Sequence, residues 1–212
     1  MMSQPEMGIS VTRGYGRLER FLALQRVRIA DRNIDPQLRL GRILDVGCGN
    51  YPFFLKNIDF QEKHGLDKLV EDGLLPEGDE RIILRNFELE NEDTFPYPDG
   101  YFDVVTMLAV IEHIEPRHLP AVLHEAFRVL KPGGTFVATV PARWTDPLLR
   151  ILAKTGMVSS EEIEEHKDIY DHRKVRDLLV AAGFTGEKIR HGYFEMFMNL
   201  WFAVVKTQSE RG

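Results

Sequence analysis

Sulfur chemistry is scarce in this sequence: 212 residues contain a single cysteine, Cys48. One thiol excludes an intrachain disulfide, and no C-x-x-C or Cys/His spacing is present to hold zinc. The scarcity fits a reducing compartment. Long apolar runs are missing as well. The longest, MFMNLWFAVV at 196–205, is about half of what a helix needs to span a bilayer. The opening MMSQPEMGIS lacks the apolar centre of a signal peptide, so no membrane span and a cytoplasmic location are the expectations. Positive charge is not in excess either. The 27 Lys and Arg face 33 Asp and Glu, for a net charge of −6, which argues against non-specific binding to nucleic acid or anionic lipid. No basic stripe with interleaved aromatics appears, and there is no internal repeat. What remains is a soluble globular protein of unknown oligomeric state.

Apolar residues make up 43% of the chain and charged residues 28%, enough for one core with some chain left over. Residues 15–34 place Leu18, Phe21, Leu22, Leu24, Val27 and Ile29 near helical spacing, with Pro36 as the stop. Alternating elements follow. Strands are expected at 42–46, 64–68, 81–87, 101–110 and 135–141, with a helix at 120–130. Ser159 and Glu162 form a possible capping box. Asp171 is placed to cap a helix ending at Gly183, and two strands close the chain. This order predicts an open, mostly parallel, doubly wound sheet with helices on both faces. We divide the chain into a helical cap segment at 1–40 and a main unit at 41–206, which carries a helical insert at about 142–175.

In such sheets ligands bind at the carboxyl ends of the strands. The first strand ends in Asp45-Val46-Gly47-Cys48-Gly49-Asn50. Gly47 and Gly49 allow a tight turn and a close approach to a ligand. The dinucleotide fingerprint G-x-G-x-x-G fails because its third glycine falls on Pro52, and no G-K-[ST] follows for a P-loop. Asp45 would repel a pyrophosphate but suits a ligand carrying an ammonium and a sulfonium, unless it caps a helix or pairs with a lysine. Asp67 ends the second strand, where an acid accepts both hydroxyls of a ribose; its alternative is a plain loop acid. A nucleoside with a positive, phosphate-free tail describes S-adenosylmethionine.

ILDVGCGN, GLDK, FPYPDGYFDVVTMLAVIEHI and EAFRVLKPGG stand in that order within residues 40–140. On these motifs the chain resembles the class I S-adenosylmethionine-dependent methyltransferases, of the kind grouped as methyltransferase type 11. The resemblance implies a Rossmann-like sheet of seven strands with the last antiparallel. It implies S-adenosylmethionine as cofactor, with S-adenosylhomocysteine as product, and no metal. It assigns Asp45, Gly47 and Gly49, with Cys48 between them, to the methionine portion. Asp67 goes to the ribose, Lys68 beside the adenine, Glu88 and Leu89 near the adenine amino group with Asn86 as the lesser alternative, and Leu108 and Ala109 along the methyl donor. Asn50 stands where the family often has a further glycine, and Asn tolerates left-handed backbone better than most residues.

Several residues keep two readings. His113, after Glu112 at the mouth of the site, is either a general base for the acceptor or a partner of the local loop. His166 and Tyr170, four apart on an expected helix, either contact the acceptor from a lid or belong to a solvated face with one buried tyrosine. Tyr193, Phe194, Phe197, Trp201 and Phe202 read as core more readily than as a substrate box. KPGG at 131–134 reads as a helix stop, with Lys131 favoured by the helix dipole. Methyl transfer to an acceptor O, N or C is the expected reaction. A non-catalytic binding protein of the same fold, or a nicotinamide-dependent oxidoreductase, are the rivals.

Overall fold

The computed structural model describes residues 17–70, 79–92, 94–142 and 170–207. Their core is one sheet of seven strands: β1 (Arg42–Val46), β2 (Glu62–Asp67), β3 (Ile82–Asn86), β4 (Phe102–Leu108), β5 (Leu130–Pro141), β6 (Arg190–Phe194) and β7 (Asn199–Val205). The spatial order is β3-β2-β1-β4-β5-β7-β6. Pairings among the first five strands are parallel, and β7 runs antiparallel to both β5 and β6. The order reverses at β1, so β1 and β4 diverge from a topological switch point where a crevice opens at the carboxyl edge. The expected doubly wound architecture is therefore the observed one.

Burial on both faces explains why β1 and β4 are near-continuous apolar runs. Leu44, Val46, Leu66, Val105 and Met107 point to one face, where α3 (Leu119–Val129) and α4 (His172–Ala181) cover them. Ile43, Ile82, Val104 and Val137 point to the other, under α1 (Arg17–Asn33) and the short α2 (Phe53–Lys56). In α1 the buried stripe is Ala23, Val27 and Ala30, continued by Ile34 just past the helix end, while Phe21 is 51% exposed. Small residues let the helix lie close to the sheet; of the set picked out by hydropathy Val27 faces it, whereas Phe21 does not. The helix ends at Asn33. Pro36 instead opens a 3₁₀ turn, Pro36–Leu40, capped by the Asp35 side chain.

Two long-range polar contacts fix this frame. Lys206 Nζ donates to the carbonyls of Phe127 at 2.6 Å and Leu130 at 2.7 Å, so it satisfies the free end of α3. Lys131, the residue expected there, turns away and forms an ion pair with both oxygens of Asp103 at 2.9 and 2.8 Å. KPGG does stop the helix, but the chain passes directly into β5 at Leu130. Asp171 caps α4 as expected, its carboxylate accepting from the Lys174 N–H at 2.9 Å. Ser159, Glu162 and His166 lie outside the described residues.

Candidate functional site

The carboxyl ends of β1, β2 and β4 meet at the switch point. Asp45 is the penultimate residue of β1 and is only 4% exposed. Among the described residues neither a helix nor a lysine takes its carboxylate. Thr106 on β4, its register partner, donates its hydroxyl to Asp45 Oδ1 at 2.7 Å. Burial pushes the Asp45 carboxyl up to about 7, the Thr106 hydrogen bond holds it back, and the nearby Asp67 charge adds to the rise. At neutral pH the group is thus poised between charged and neutral, and a cation beside it would favour the charged form. Thr106 was missed by sequence reasoning. Its signal was present, because it breaks the otherwise apolar run VVTMLAV.

The turn after β1 is built from two left-handed glycines, Gly47 at φ 77° and Gly49 at φ 71°. They differ in surroundings. A Cβ on Gly47 would meet Val110 Cγ2 at 2.4 Å, so that glycine is closed in by the exit of β4. A Cβ on Gly49 would have only the Tyr51 nitrogen, at 4.0 Å, within reach, so the backbone there faces open space. Between them Cys48 is buried, and its thiol is pushed up chiefly by burial. Its sulfur occupies the space a Cβ on Gly65 would need, 2.6 Å away, so Cys48 packs the turn onto β2.

Asp67 ends β2 and braces two turns at once. Its Oδ2 accepts from the Gly49 N–H at 2.9 Å and its Oδ1 from the Leu69 N–H at 2.8 Å. Each oxygen keeps a lone pair for a further donor. The alternatives of structural loop acid and ribose acceptor are therefore compatible. Lys68 Nζ lies 3.6 Å from Glu88 Oε2, which brings together two residues assigned to the adenine side. Asn86 donates to the carbonyls of Lys68 at 3.0 Å and Val70 at 2.7 Å, clipping the chain after β2 to the end of β3. Leu89 is half-buried against the larger core.

After β4, Leu108 is half-buried on the α1 side and Ala109 takes φ 58°, unusual outside glycine. The Ala109 N–H reaches both the carbonyl and the hydroxyl of Thr139 on β5, each at 3.0 Å. These bonds hold the strained residue in place. The chain then makes a 3₁₀ turn, Ile111–His113, with Glu112 buried and His113 half-buried. Tyr170 is 2% exposed in the larger core, with the Lys174 ammonium 4.7 Å from its ring centre. Tyr170 precedes α4 and lies on no helix, so its pairing with His166 on one helical face falls outside the described residues.

The opposite end of the same edge carries the β6–β7 turn, and here the aromatic run departs from expectation. Phe202 is core, but Tyr193 is 43% and Phe197 66% exposed, beside Met196 at 86%. Glu195, Met196 and Phe197 are consecutive left-handed residues at φ 51°, 55° and 70°. Left-handed backbone costs a residue with a Cβ roughly 1 kcal/mol.

Among the described residues no group of three or more His, Cys, Asp and Glu could hold a metal, and no helix is long and apolar enough to cross a membrane. A family model described as a methyltransferase domain matches residues 16–189. A ubiquinone/menaquinone biosynthesis C-methyltransferase of Bartonella tribocorum is 28% identical over 156 residues, 66% of this chain and 59% of that protein. The chain thus spans less than two thirds of the length of this relative. A demethylmenaquinone methyltransferase of Staphylococcus haemolyticus is 27% identical over 85% of each chain. Among solved structures, a methyltransferase of Thermotoga maritima, titled a possible histamine N-methyltransferase, superposes with TM-score 0.64. It is 18% identical, over 90% of this chain and 91% of that one.

Proposed function

We propose, from the premise that this chain belongs to the S-adenosylmethionine-dependent methyltransferases, that it transfers a methyl group to a small-molecule acceptor. The observation that carries this reading is the pair of carboxylates, Asp45 and Asp67, on either side of an open glycine turn. The arrangement suits a cationic, phosphate-free nucleoside and disfavours a pyrophosphate. S-adenosylmethionine fits the donor set. Gly47 and Gly49 bring the backbone to the methionine portion, and the Asp45 carboxylate neutralises its ammonium. Asp67 accepts the ribose hydroxyls on its remaining lone pairs. Lys68, Glu88 and Leu89 frame the adenine, and Leu108 and Ala109 line the donor.

The bound sulfonium supplies a methyl group already activated for displacement. The protein's share is then alignment and exclusion of water. Alignment falls to the Ala109 turn, which Thr139 fixes, and to the turn that Asp67 braces. Where the acceptor must lose a proton, we assign that proton to the His113 imidazole. The quinone ring named in the relatives supports an acceptor bearing an unsaturated ring.

Calorimetric titration with S-adenosylhomocysteine, with NAD as control, tests the reading. One-to-one binding of the homocysteine nucleoside alone is expected. Binding of NAD in its place would overturn the argument from Asp45. Binding with no transfer to any acceptor would make the chain a cofactor-binding protein.

A further inference from the structure

The outer edge of β6 lies away from the cofactor crevice and carries a charge pattern of its own. β6 is the outermost strand and pairs only with β7, so its alternate residues turn their N–H and C=O groups outward. Arg190 and His191 open the strand, and both are exposed. Lys188 ends the 3₁₀ turn Gly186–Lys188 that leads into it and is exposed as well. From α4, the exposed Arg176 places Nη2 3.2 Å from where a Cβ on Gly186 would stand, so its guanidinium rests on this turn. His172 stacks on His191 with ring centres 5.0 Å apart. Burial first, then the His172 imidazole and the Arg176 charge, hold the His191 imidazole below its ordinary value.

That corner is cationic in a chain whose net charge is −6. Basic side chains of β1, β2, β5 and α3 are neutralised: Arg42 by Glu62, Lys63 by Asp79, Lys131 by Asp103, and Arg128 by Asp99 and Glu125. Among the described residues Arg176, Lys188 and Arg190 form no such pair, and neither do Asp177 and Glu187, the acids beside them in sequence. Charge on an edge strand deters pairing with a like edge. A second copy of β6 would set Arg190 and His191 against the same cations. A segment rich in Asp and Glu meets the reverse. Its extended backbone satisfies the outward N–H and C=O groups, and its carboxylates neutralise Arg176, Lys188 and Arg190.

We infer that the outer edge of β6 docks an acidic, extended segment of another protein, which adds to the sheet as an eighth strand. Side chains alternate along a strand, so Arg190 and His191 lie on opposite faces, with His191 on the α4 side beside His172 and Arg176. The segment therefore carries adjacent acids, one for each face. The five residues of β6 give it about 17 Å to pair with. β7 and β5 separate this edge from β4 and the cofactor crevice. The inference is accordingly independent of the methyltransferase reading, and docking leaves cofactor affinity unchanged.

The test uses the full chain and fluorescein-labelled peptides read by anisotropy in low salt. The probes are TVEEVEEVT, its lysine counterpart TVKKVKKVT, and TVEEVEEVT N-methylated at its five central residues, which keeps the charge but blocks strand pairing. The first is expected to bind about tenfold or more tighter than either of the others. Adding it is expected to slow hydrogen exchange at the β6 amides. In R176E/R190E its affinity is expected to fall by about tenfold or more, while the melting temperature and the affinity for S-adenosylhomocysteine keep their wild-type values. The exchange measurement needs no variant, so it decides even where the double substitution disturbs the fold. Equal binding of the N-methylated peptide, unchanged affinity in R176E/R190E, or unchanged exchange at β6 would overturn the inference and leave these cations as protection of the edge. Binding to vesicles of phosphatidylglycerol and phosphatidylcholine in preference to the peptide would overturn it in favour of a lipid surface.

Discussion

The two ends of the carboxyl edge are built on opposite principles. Around β1 and β2 nearly every feature is a polar group already engaged, with Asp45 on Thr106, Asp67 on two N–H groups and Asn86 on two carbonyls. Around β6 and β7 the surface is apolar, exposed and held on disfavoured backbone. The polar end is arranged before any ligand arrives, which suits the cofactor role proposed for it. The apolar turn is fixed chiefly through its backbone, by the Met198 N–H on the Glu195 carbonyl and the Ala142 N–H on the Met198 carbonyl.

The strongest way to break this contrast is Asp67→Ala. It removes the acceptor of two turn N–H groups together with the proposed ribose ligand. Affinity for S-adenosylhomocysteine is expected to fall by about 100-fold or more, and the free protein to lose about 2 kcal/mol by denaturant titration. Asp45→Asn separates the two roles instead. It keeps the Thr106 hydrogen bond but removes a buried charge. Cofactor affinity should drop by about tenfold or more, while stability at pH 8 rises by about 1–3 kcal/mol, read by calorimetry and thermal melts. A stability loss would show that Asp45 has a partner other than Thr106.

Proton linkage sharpens the same point. Asp45 sits at about 7 in the fold, above its ordinary 3.8. Its contribution to stability is therefore fully present below about pH 4 and is lost as pH rises through 7. A ligand that sets its ammonium beside Asp45 reverses the preference, because it binds the carboxylate form. Affinity for S-adenosylhomocysteine should rise several-fold from pH 6 to pH 8, with proton release measurable as a buffer-dependent heat. The pH dependence should flatten in Asp45→Asn. The smallest expected effect tests the opposite, amino edge of the sheet, where Lys206 lies beside the start of β5. Lys206→Met should cost about 1–2 kcal/mol through the freed carbonyls of α3 and leave cofactor affinity unchanged. A change in that affinity would mean the two edges are coupled.

The contrast also decides what sequence could reveal. Gly47, Gly49 and the strand-end acids Asp45 and Asp67 were legible because their constraints are local: a positive φ, a strand terminus, a missing third glycine. The seven strands, the last of them antiparallel, followed from the family resemblance that the motifs carry, and the spatial order came from the structure. Thr106 was not found because its partner lies 61 residues away on another strand. The end of α3 was assigned to the adjacent Lys131, and the lysine that satisfies it, Lys206, arrives from 76 to 79 residues downstream. The packing face of α1 was misjudged because hydropathy ranks Phe21 above Ala23, whereas closeness to a sheet favours the smaller residue. Met196 and Phe197 read as part of a strand, since nothing in their composition signals a left-handed turn.

The position of β7 has a consequence for synthesis. Its residues, 199–205, come last among the strands, yet they lie between β5 and β6. A nascent chain on the ribosome therefore holds β5 as a bare apolar edge, with Phe136 and Val137 uncovered, until that segment emerges. During that interval the β5 edge is open to pairing with another growing chain. Translation pauses within the last strand would lengthen this exposure, and chaperone capture of stalled chains should be greatest there.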